Sequence, residues 1–145
     1  MIVVPFIPAH MDGFKAQRSQ CLVNKYMAGP DYIDTISEYG PAYTGLVDGK
    51  PVIFAGMVCP HPHIGMVWAI LSEDCRRHLV AATRRILSFM EAYNTMPRLE
   101  TAVKRDFKEG HRWVKMLGFV NETPEMGMRN YDLEGQTYDL YARCI

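Results

Sequence analysis

Residues 64–104 read IGMVWAILSEDCRRHLVAATRRILSFMEAYNTMPRLETAVK and contain the clearest succession of elements in the chain. The run Ile64–Leu71 is apolar throughout and predicts a strand. Arg76–Tyr93 has the period of an amphipathic helix, with apolar positions at Leu79, Ala82, Ile86, Met90 and Tyr93. Arg98–Lys104 alternates and predicts a second strand. Together they predict a right-handed β-α-β unit with parallel strands.

A three-stranded meander is predicted to end in the first strand of that unit. Ala42–Val47 and Lys50–Val58 are strand-like runs joined by Asp48-Gly49. An Asp-Gly pair tolerates the positive φ angles of a type I′ turn, which matches the twist of a hairpin. The turn Pro60-His61-Pro62-His63 then reverses the chain into Ile64.

The remaining elements lie towards the two ends of the chain. Met1–Ile7 predicts a first strand, His10–Met27 a helix, and Asp31 the cap of a second short helix. Asp106 and Glu109 have the spacing of a capping box and predict a helix that ends at Gly118. Further strands are predicted at Phe119–Glu122, Met126–Tyr131 and Thr137–Ala142.

Composition indicates an ordinary folded domain. A chain of 145 residues suits a single domain over residues 1–145, and 48% hydrophobic residues exclude disorder. Sixteen basic and sixteen acidic residues cancel, so nucleic-acid binding is not expected. No apolar run is long enough to cross a membrane and no signal peptide is evident. Four scattered cysteines without a CxxC pair indicate reduced thiols in the cytoplasm and no zinc site.

Two segments carry a family resemblance. Ile70–Ala81 resembles a pyrophosphate-binding loop, (Arg/Gln)-x-x-Gly-x-(Gly/Ala), with Arg76 and Ala81 at the matching ends. Arg112–Phe119 resembles a helix that ends in Leu-Gly-Phe. With the element order, these motifs resemble the GNAT superfamily of N-acetyltransferases. The Trp-x-x-x-Leu-Gly-Phe form is similar to that of small GNAT-like proteins of tailed bacteriophages, some of them resembling virion proteins.

The resemblance implies an α/β (α+β) fold with a mixed, mostly antiparallel sheet of six to seven strands and about four helices. It implies acetyl-CoA as co-substrate, an unidentified amine as acceptor, and the fourth and fifth strands spread apart to admit the pantetheine arm. Independently of the family, a helix N-terminus with adjacent arginines suits a diphosphate. The implied cofactor-binding residues are Ala69, Ile70, Leu71, Arg76, Arg77, His78, Leu79, Val80 and Ala81.

The chain departs from the family pattern at three motif positions. Leu79 replaces the central glycine of the loop, Phe107 an asparagine, and Val114 a tyrosine. A side chain at Leu79 is expected to crowd the phosphates, and neither Phe107 nor Val114 can donate a proton to a leaving thiolate. The alternative is therefore a catalytically inactive GNAT-like phage protein, a virion or host-interaction component, in the host cytoplasm or the virion.

Candidate catalytic residues follow from residue type and position. His111 lies in the predicted later helix, and histidine titrates close to neutral pH, as a base for an ammonium substrate requires. Glu100 and His61 are further base candidates, although His61 and His63 suit an ordinary turn. Asp106 is expected to cap its helix, and Cys75 has no predictable partner for nucleophilic attack. Trp68 and Trp113 are expected in the core, and terminal edge strands could pair in a homodimer.

Overall fold

A seven-stranded sheet crosses the residues that this computed structural model describes, 1–17 and 37–145. Its strands are β1 (Ile2–Pro5), β2 (Ala42–Val47), β3 (Lys50–His61), β4 (Ile64–Leu71), β5 (Arg98–Lys104), β6 (Val120–Asn121) and β7 (Tyr138–Cys144). They lie in the order β1-β2-β3-β4-β5-β7-β6. Two α-helices, α1 (Leu79–Ala92) and α2 (Lys108–Met116), complete the described elements. The mixed α+β fold and the predicted number of strands are confirmed.

The β2–β3 hairpin forms as predicted. Asp48 and Gly49 both have positive φ angles, 50° and 74°, as a type I′ turn requires. The register then places Tyr43 opposite Ala55, and Ala55 opposite Ala69 on β4. These three residues, on neighbouring strands, therefore lie in one row across the sheet.

The β-α-β unit is also confirmed, with a correction at the start of its helix. Only β4 and β5 pair in parallel among the described strands, and both have the predicted bounds. The α-helix begins at Leu79 and not at Arg76, because a 3-10 helix, Glu73–His78, comes first. Ser72 caps this 3-10 helix by accepting the Cys75 N–H on its Oγ at 3.2 Å.

Alternation along the strands gives the sheet two apolar faces. Met57, Leu99 and Val103 point to the face covered by α1 and α2 and pack with Val114 and Leu117. On the opposite face a separate core cluster contains Ala16, Phe54 and Ile70, with Phe6, Phe14 and Trp68 against it. The helix-covered face is the one on which the cavity described below lies.

The structure of the described N-terminal residues differs from the helix that is predicted to begin at His10. Pro8–Met11 is a short 3-10 helix, Gly13 has a positive φ of 71°, and Ala16 bridges to Ser72. The His10 ring contacts Thr44 Oγ1 at 2.8 Å, which holds this segment against β2. The remainder of His10–Met27, and most of the short helix predicted after Asp31, lie outside the described residues.

Two C-terminal predictions are wrong. Met126–Tyr131 is not a strand, because Gly127 and Asn130 take positive φ angles and only Met128 forms a bridge, to Tyr138. Asp106 does not cap α2.

The residue at the N-cap of α2 is Phe107, and no side chain accepts a hydrogen bond there. Asp106 instead lies 3.6 Å from the Lys104 ammonium as an exposed ion pair. The predicted left-handed cap at the other end of α2 is confirmed, with Gly118 at φ 87°.

Candidate functional site

A cleft opens between β4 and β5. Their ladder contains three residue pairs, from Ile64↔Arg98 to Met66↔Glu100. Beyond that point β4 continues to Leu71 along β3, and β5 continues to Lys104 along β7. The two strands therefore separate towards their carboxyl ends, which is the spreading that the motifs predicted.

A large cavity lies at this cleft. It comprises about 930 Å³ of space, including its open part, with Val67 and Ala69 of β4 on one side and Thr101 of β5 on the other. Val114 and Leu117 of α2 also line it. From the cleft the cavity extends beneath α1, where Ala82, Ile86 and Phe89 line it.

Few polar groups face this cavity. Thr101 provides a hydroxyl on the β5 side of the cleft, Tyr43 provides one on β2, and Arg85 is the charged side chain among the described lining residues. Trp113 donates its Nε1–H to Thr83 Oγ1 at 2.8 Å and so links α2 to α1. The indole N–H of Trp68 is buried and has no hydrogen-bond partner among the described residues.

The polypeptide at the end of β4 is held by backbone hydrogen bonds. The Leu71 carbonyl accepts from the Gln17 N–H at 2.7 Å, and the Ser72 N–H donates to the Val52 carbonyl at 2.8 Å. Arg76 and Arg77 follow on the 3-10 helix, exposed and without an ion pair to any described residue. His78 occupies the N-cap position of α1. Two arginines without an ion pair to a described residue thus precede α1, on the same 3-10 helix as the exposed acids Glu73 and Asp74.

Leu79 is partly buried against the apolar core. Its side chain packs on the cluster that contains Leu71, Cys75 and Ala82, while Val80 is exposed and Ala81 is partly buried. A leucine at the central glycine position of the motif therefore points into the protein. Burial also raises the pKa of the Cys75 thiol to about 11, so this cysteine is not a thiolate nucleophile at neutral pH.

Both ring nitrogens of His111 are hydrogen-bonded. Nε2 lies 3.1 Å and 3.0 Å from the carbonyls of Lys104 and Arg105, so it carries the proton and donates it. Nδ1 accordingly accepts from the Tyr141 hydroxyl at 2.7 Å. Tyr141 is fully buried, and burial raises the pKa of its phenol. The imidazole connects α2 to β7 and to the end of β5.

Glu100 forms an ion pair. Its carboxylate accepts from Arg98 Nε at 2.5 Å, and Arg98 also binds Glu122 through two hydrogen bonds, one of 2.9 Å. These bonds hold the pKa of Glu122 below its ordinary value. By strand alternation Glu100 points away from the face on which Thr101 lines the cavity.

His61 lies at the opposite end of β4 from Leu71. It is exposed, pairs with Ile64, and accepts the His63 N–H on Nδ1 at 3.3 Å. The structure therefore does not bring His61, Glu100 and His111 together. Within residues 1–17 and 37–145, no group of three His, Cys, Asp or Glu side chains could hold a metal ion.

The two other departures from the family pattern lie at the N-cap of α2 and within that helix. Phe107 packs against the core, with its ring over Gly110, and Val114 is buried. Neither position supplies a proton donor, and the hydroxyl that the described residues place on the β5 side of the cleft is that of Thr101. Thr101 was not a site candidate from the sequence, because it reads there only as an alternating strand residue.

Comparison with known proteins identifies the fold. No protein-family model and no curated protein matches the sequence. Among solved structures, Ard1 from Thermoplasma volcanium is similar over 99% of this chain and 97% of its own, with a TM-score of 0.76 and 19% identity. The ribosomal-protein-S18-alanine N-acetyltransferase from Escherichia coli is similar over 99% and 93%, with a TM-score of 0.74 and 14% identity.

An acetyltransferase of the GNAT family from Streptococcus pneumoniae is similar over 99% of this chain and 98% of its own, with a TM-score of 0.66 and 12% identity. The chain therefore has the GNAT fold, and the resemblance seen in the motifs is confirmed at the level of the fold. No helix in the described part of the chain has the length and apolar character needed to cross a membrane.

Proposed function

We propose that residues 1–145 form a single acyltransferase domain that transfers an acetyl group from acetyl-CoA to an amine. The observation that carries this proposal is the cleft between β4 and β5, which leads to two exposed arginines without ion pairs. The acetyltransferases of the same fold support it. Acetyl-CoA supplies the activated thioester, and the protein supplies position and hydrogen bonds.

The diphosphate would bind at the start of α1. Arg76 and Arg77 would donate charge-assisted hydrogen bonds to it, together with backbone groups of His78, Val80 and Ala81. The inward side chain of Leu79 supports this arrangement, because that leucine need not crowd the phosphates. The pantetheine arm would follow β4 beside Ala69, Ile70 and Leu71 to the cleft.

The transfer itself is a direct displacement. The acceptor nitrogen forms a bond to the thioester carbonyl carbon, the carbon–sulfur bond breaks, the amine loses a proton, and the CoA thiol is released. Alignment of the two reactants supplies much of the rate enhancement. With Phe107 and Val114 unable to donate a proton, we assign to Thr101 a hydrogen bond to the departing sulfur.

The base remains a proposal among three residues. His111 would first have to release Tyr141, Glu100 would have to release Arg98, and His61 is exposed at the paired end of β4. A base of any kind is needed only for an acceptor that arrives as an ammonium ion. An amine that is already neutral at the working pH would need alignment alone.

Calorimetric titration with acetyl-CoA tests the proposal. The wild type should bind with a micromolar Kd, and Arg76→Ala/Arg77→Ala should weaken binding at least tenfold, about 1.4 kcal/mol. The double variant Lys115→Ala/Arg129→Ala, which also removes two exposed cations, is the matched control and should bind as the wild type does. Absence of binding to folded wild type, or equal weakening in both variants, would contradict the proposal.

A GNAT-like protein without turnover is the second candidate. The apolar side chains at Phe107 and Val114 favour it, since both replace residues that could donate protons. Release of free CoA thiol in the presence of a panel of amines separates the candidates. Acetyl-CoA binding without thiol release for any amine supports the inactive protein, whereas release that depends on one amine class supports the enzyme.

A further inference from the structure

The cavity extends well beyond the cleft. From Ala69 on β4 it passes Ala55 on β3 and reaches Tyr43 and Gly45 on β2, with Val3 of β1 at its far side. Neighbouring strands lie about 4.8 Å apart, so this row spans about 14 Å across the sheet. The hollow beneath α1 is therefore a side branch that leads away from the cleft.

Small side chains create this branch. Ala55 and Ala69 line it from the sheet, and Ala82 lines it from α1. Larger apolar residues at any of these positions would fill the space between helix and sheet, as side chains do in a close-packed core. Tyr43 and Phe89, with ring centroids 5.5 Å apart, form a wall of the branch.

The lining selects against polar occupants. Apart from the Tyr43 hydroxyl, the described side chains of the branch are apolar up to Arg85. Pantetheine contains amide groups that need hydrogen-bond partners when buried. A hydrocarbon chain has no such requirement and gains from every apolar contact.

We propose that this branch holds the acyl chain of the donor, so that the protein prefers a medium-chain aliphatic acyl-CoA to acetyl-CoA. The inference rests on the proposed function, because the thioester must lie in the cleft for its chain to enter the branch. With the thioester between Ala69 and Thr101, the row from Ala69 to Ala55 continues directly from the acyl carbon. The bonds that form and break are those of the acetyl transfer.

The test compares octanoyl-CoA with acetyl-CoA by calorimetry. Burial of each methylene is worth roughly a fourfold gain in affinity, so several methylenes in the branch should give wild type at least a tenfold lower Kd for octanoyl-CoA. Ala55→Leu and Ala82→Leu should each remove this preference while the Kd for acetyl-CoA stays within about twofold. Ala92→Leu, the same substitution on the exposed end of α1, should keep it.

Each outcome has a separate meaning. Equal Kd values for the two donors in wild type would overturn the inference and leave the proposed function intact. Equal weakening of both donors in the two filling variants would also overturn it. Binding of acetyl-CoA without binding of octanoyl-CoA would overturn the inference alone, and absence of binding for both donors would overturn the proposed function with it. Two variants on different elements, each checked by thermal melting, guard against a substitution that merely unfolds the protein.

Discussion

The two sides of the cleft are built differently. On the β4 side, alanines face α1 and leave a hollow with few polar groups. On the β5 side, polar groups are bonded to one another, since Arg105 binds the buried Asp139 and His111 binds Tyr141. The β4 side provides space for a ligand. On the β5 side, hydrogen bonds and an ion pair hold β5, β7 and α2 to one another.

This difference explains why residue type alone is a poor guide to the site. The titratable residues that suggest chemistry, His111 and Glu100, lie on the β5 side and are already bonded to partners. The residues that shape the cavity, such as Ala55 and Ala69, have no reactive group at all. In this chain, hydrogen bonds between polar side chains hold β5, β7 and α2 together. The cavity forms where the side chains are small.

The strongest attachment on the β5 side should be the Arg105–Asp139 pair. Asp139 is 5% exposed and accepts from Arg105 Nε at 3.1 Å. Asp139→Ala should lower the free energy of unfolding by about 2–3 kcal/mol, because it removes the buried acceptor of two charge-assisted hydrogen bonds from the partly exposed Arg105. Urea unfolding measures this, and acetyl-CoA affinity of the folded variant should be unchanged.

Asp106→Ala is the control for that measurement. Asp106 forms an exposed ion pair with Lys104, so its loss should cost less than about 0.5 kcal/mol. Similar losses for Asp139→Ala and Asp106→Ala would show that the Arg105–Asp139 pair does not fix β7 in place, and would contradict the account given of the β5 side.

The Tyr141–His111 hydrogen bond should come next. Tyr141→Phe leaves Nδ1 of the histidine without its donor and should cost about 2 kcal/mol. If His111 is only an attachment, the pH dependence of kcat should keep its shape in Tyr141→Phe. A shifted acidic limb in that profile would instead assign His111 to proton transfer and place chemistry on the β5 side.

The Trp113–Thr83 hydrogen bond links the two sides through α2 and α1. A double-mutant cycle with Trp113→Phe and Thr83→Val should give a coupling energy of about 1 kcal/mol in urea unfolding. A value near zero would mean that the two helices are held together by apolar packing alone.

The smallest expected effect concerns Arg98 and Glu122 at the paired end of the sheet. The arginine lowers the pKa of Glu122, so the stability it gives is present at neutral pH and is lost as the pH falls through the native-state pKa. Glu122→Gln should therefore have a slightly lower Tm than wild type at neutral pH. The corresponding loss in the free energy of unfolding should be less than about 1 kcal/mol. The difference should close as the pH falls below 4.5, the ordinary glutamate value.

Glu125→Gln serves as the control for this pH series. Glu125 is exposed in a turn, away from any helix N-terminus, and has no ion pair to a described residue. Its Tm difference from wild type should not change over the same pH range. A parallel trend in both variants would assign the effect to net charge.

Much of the sheet could be predicted from the sequence because its signals are local. Asp48-Gly49 specifies a hairpin by backbone conformation, and the apolar run Ile64–Leu71 and the alternation of Arg98–Lys104 gave the observed bounds of β4 and β5. The strand predicted at Met126–Tyr131 was wrong, because positive φ angles within it depend on contacts with Thr137 and Tyr138.

The cavity could not be predicted in the same way. Ala55, Ala69 and Ala82 carry no signal as single residues in the sequence, and they form a hollow only through the register of β3 with β4 and the position of α1. The cap of α2 likewise depends on tertiary packing, since the Phe107 ring packs over Gly110 and Asp106 remains outside. The loop motif, by contrast, located the arginines at the start of α1 without the structure.

The most direct test of the account is a crystal structure of the protein with acetyl-CoA. The account predicts the diphosphate at Arg76 and Arg77, and the thioester between Ala69 of β4 and Thr101 of β5. Acetyl-CoA bound elsewhere on the protein, or a cleft that stays empty at a concentration far above the measured Kd, would contradict the claim that this cleft is the site of acyl transfer.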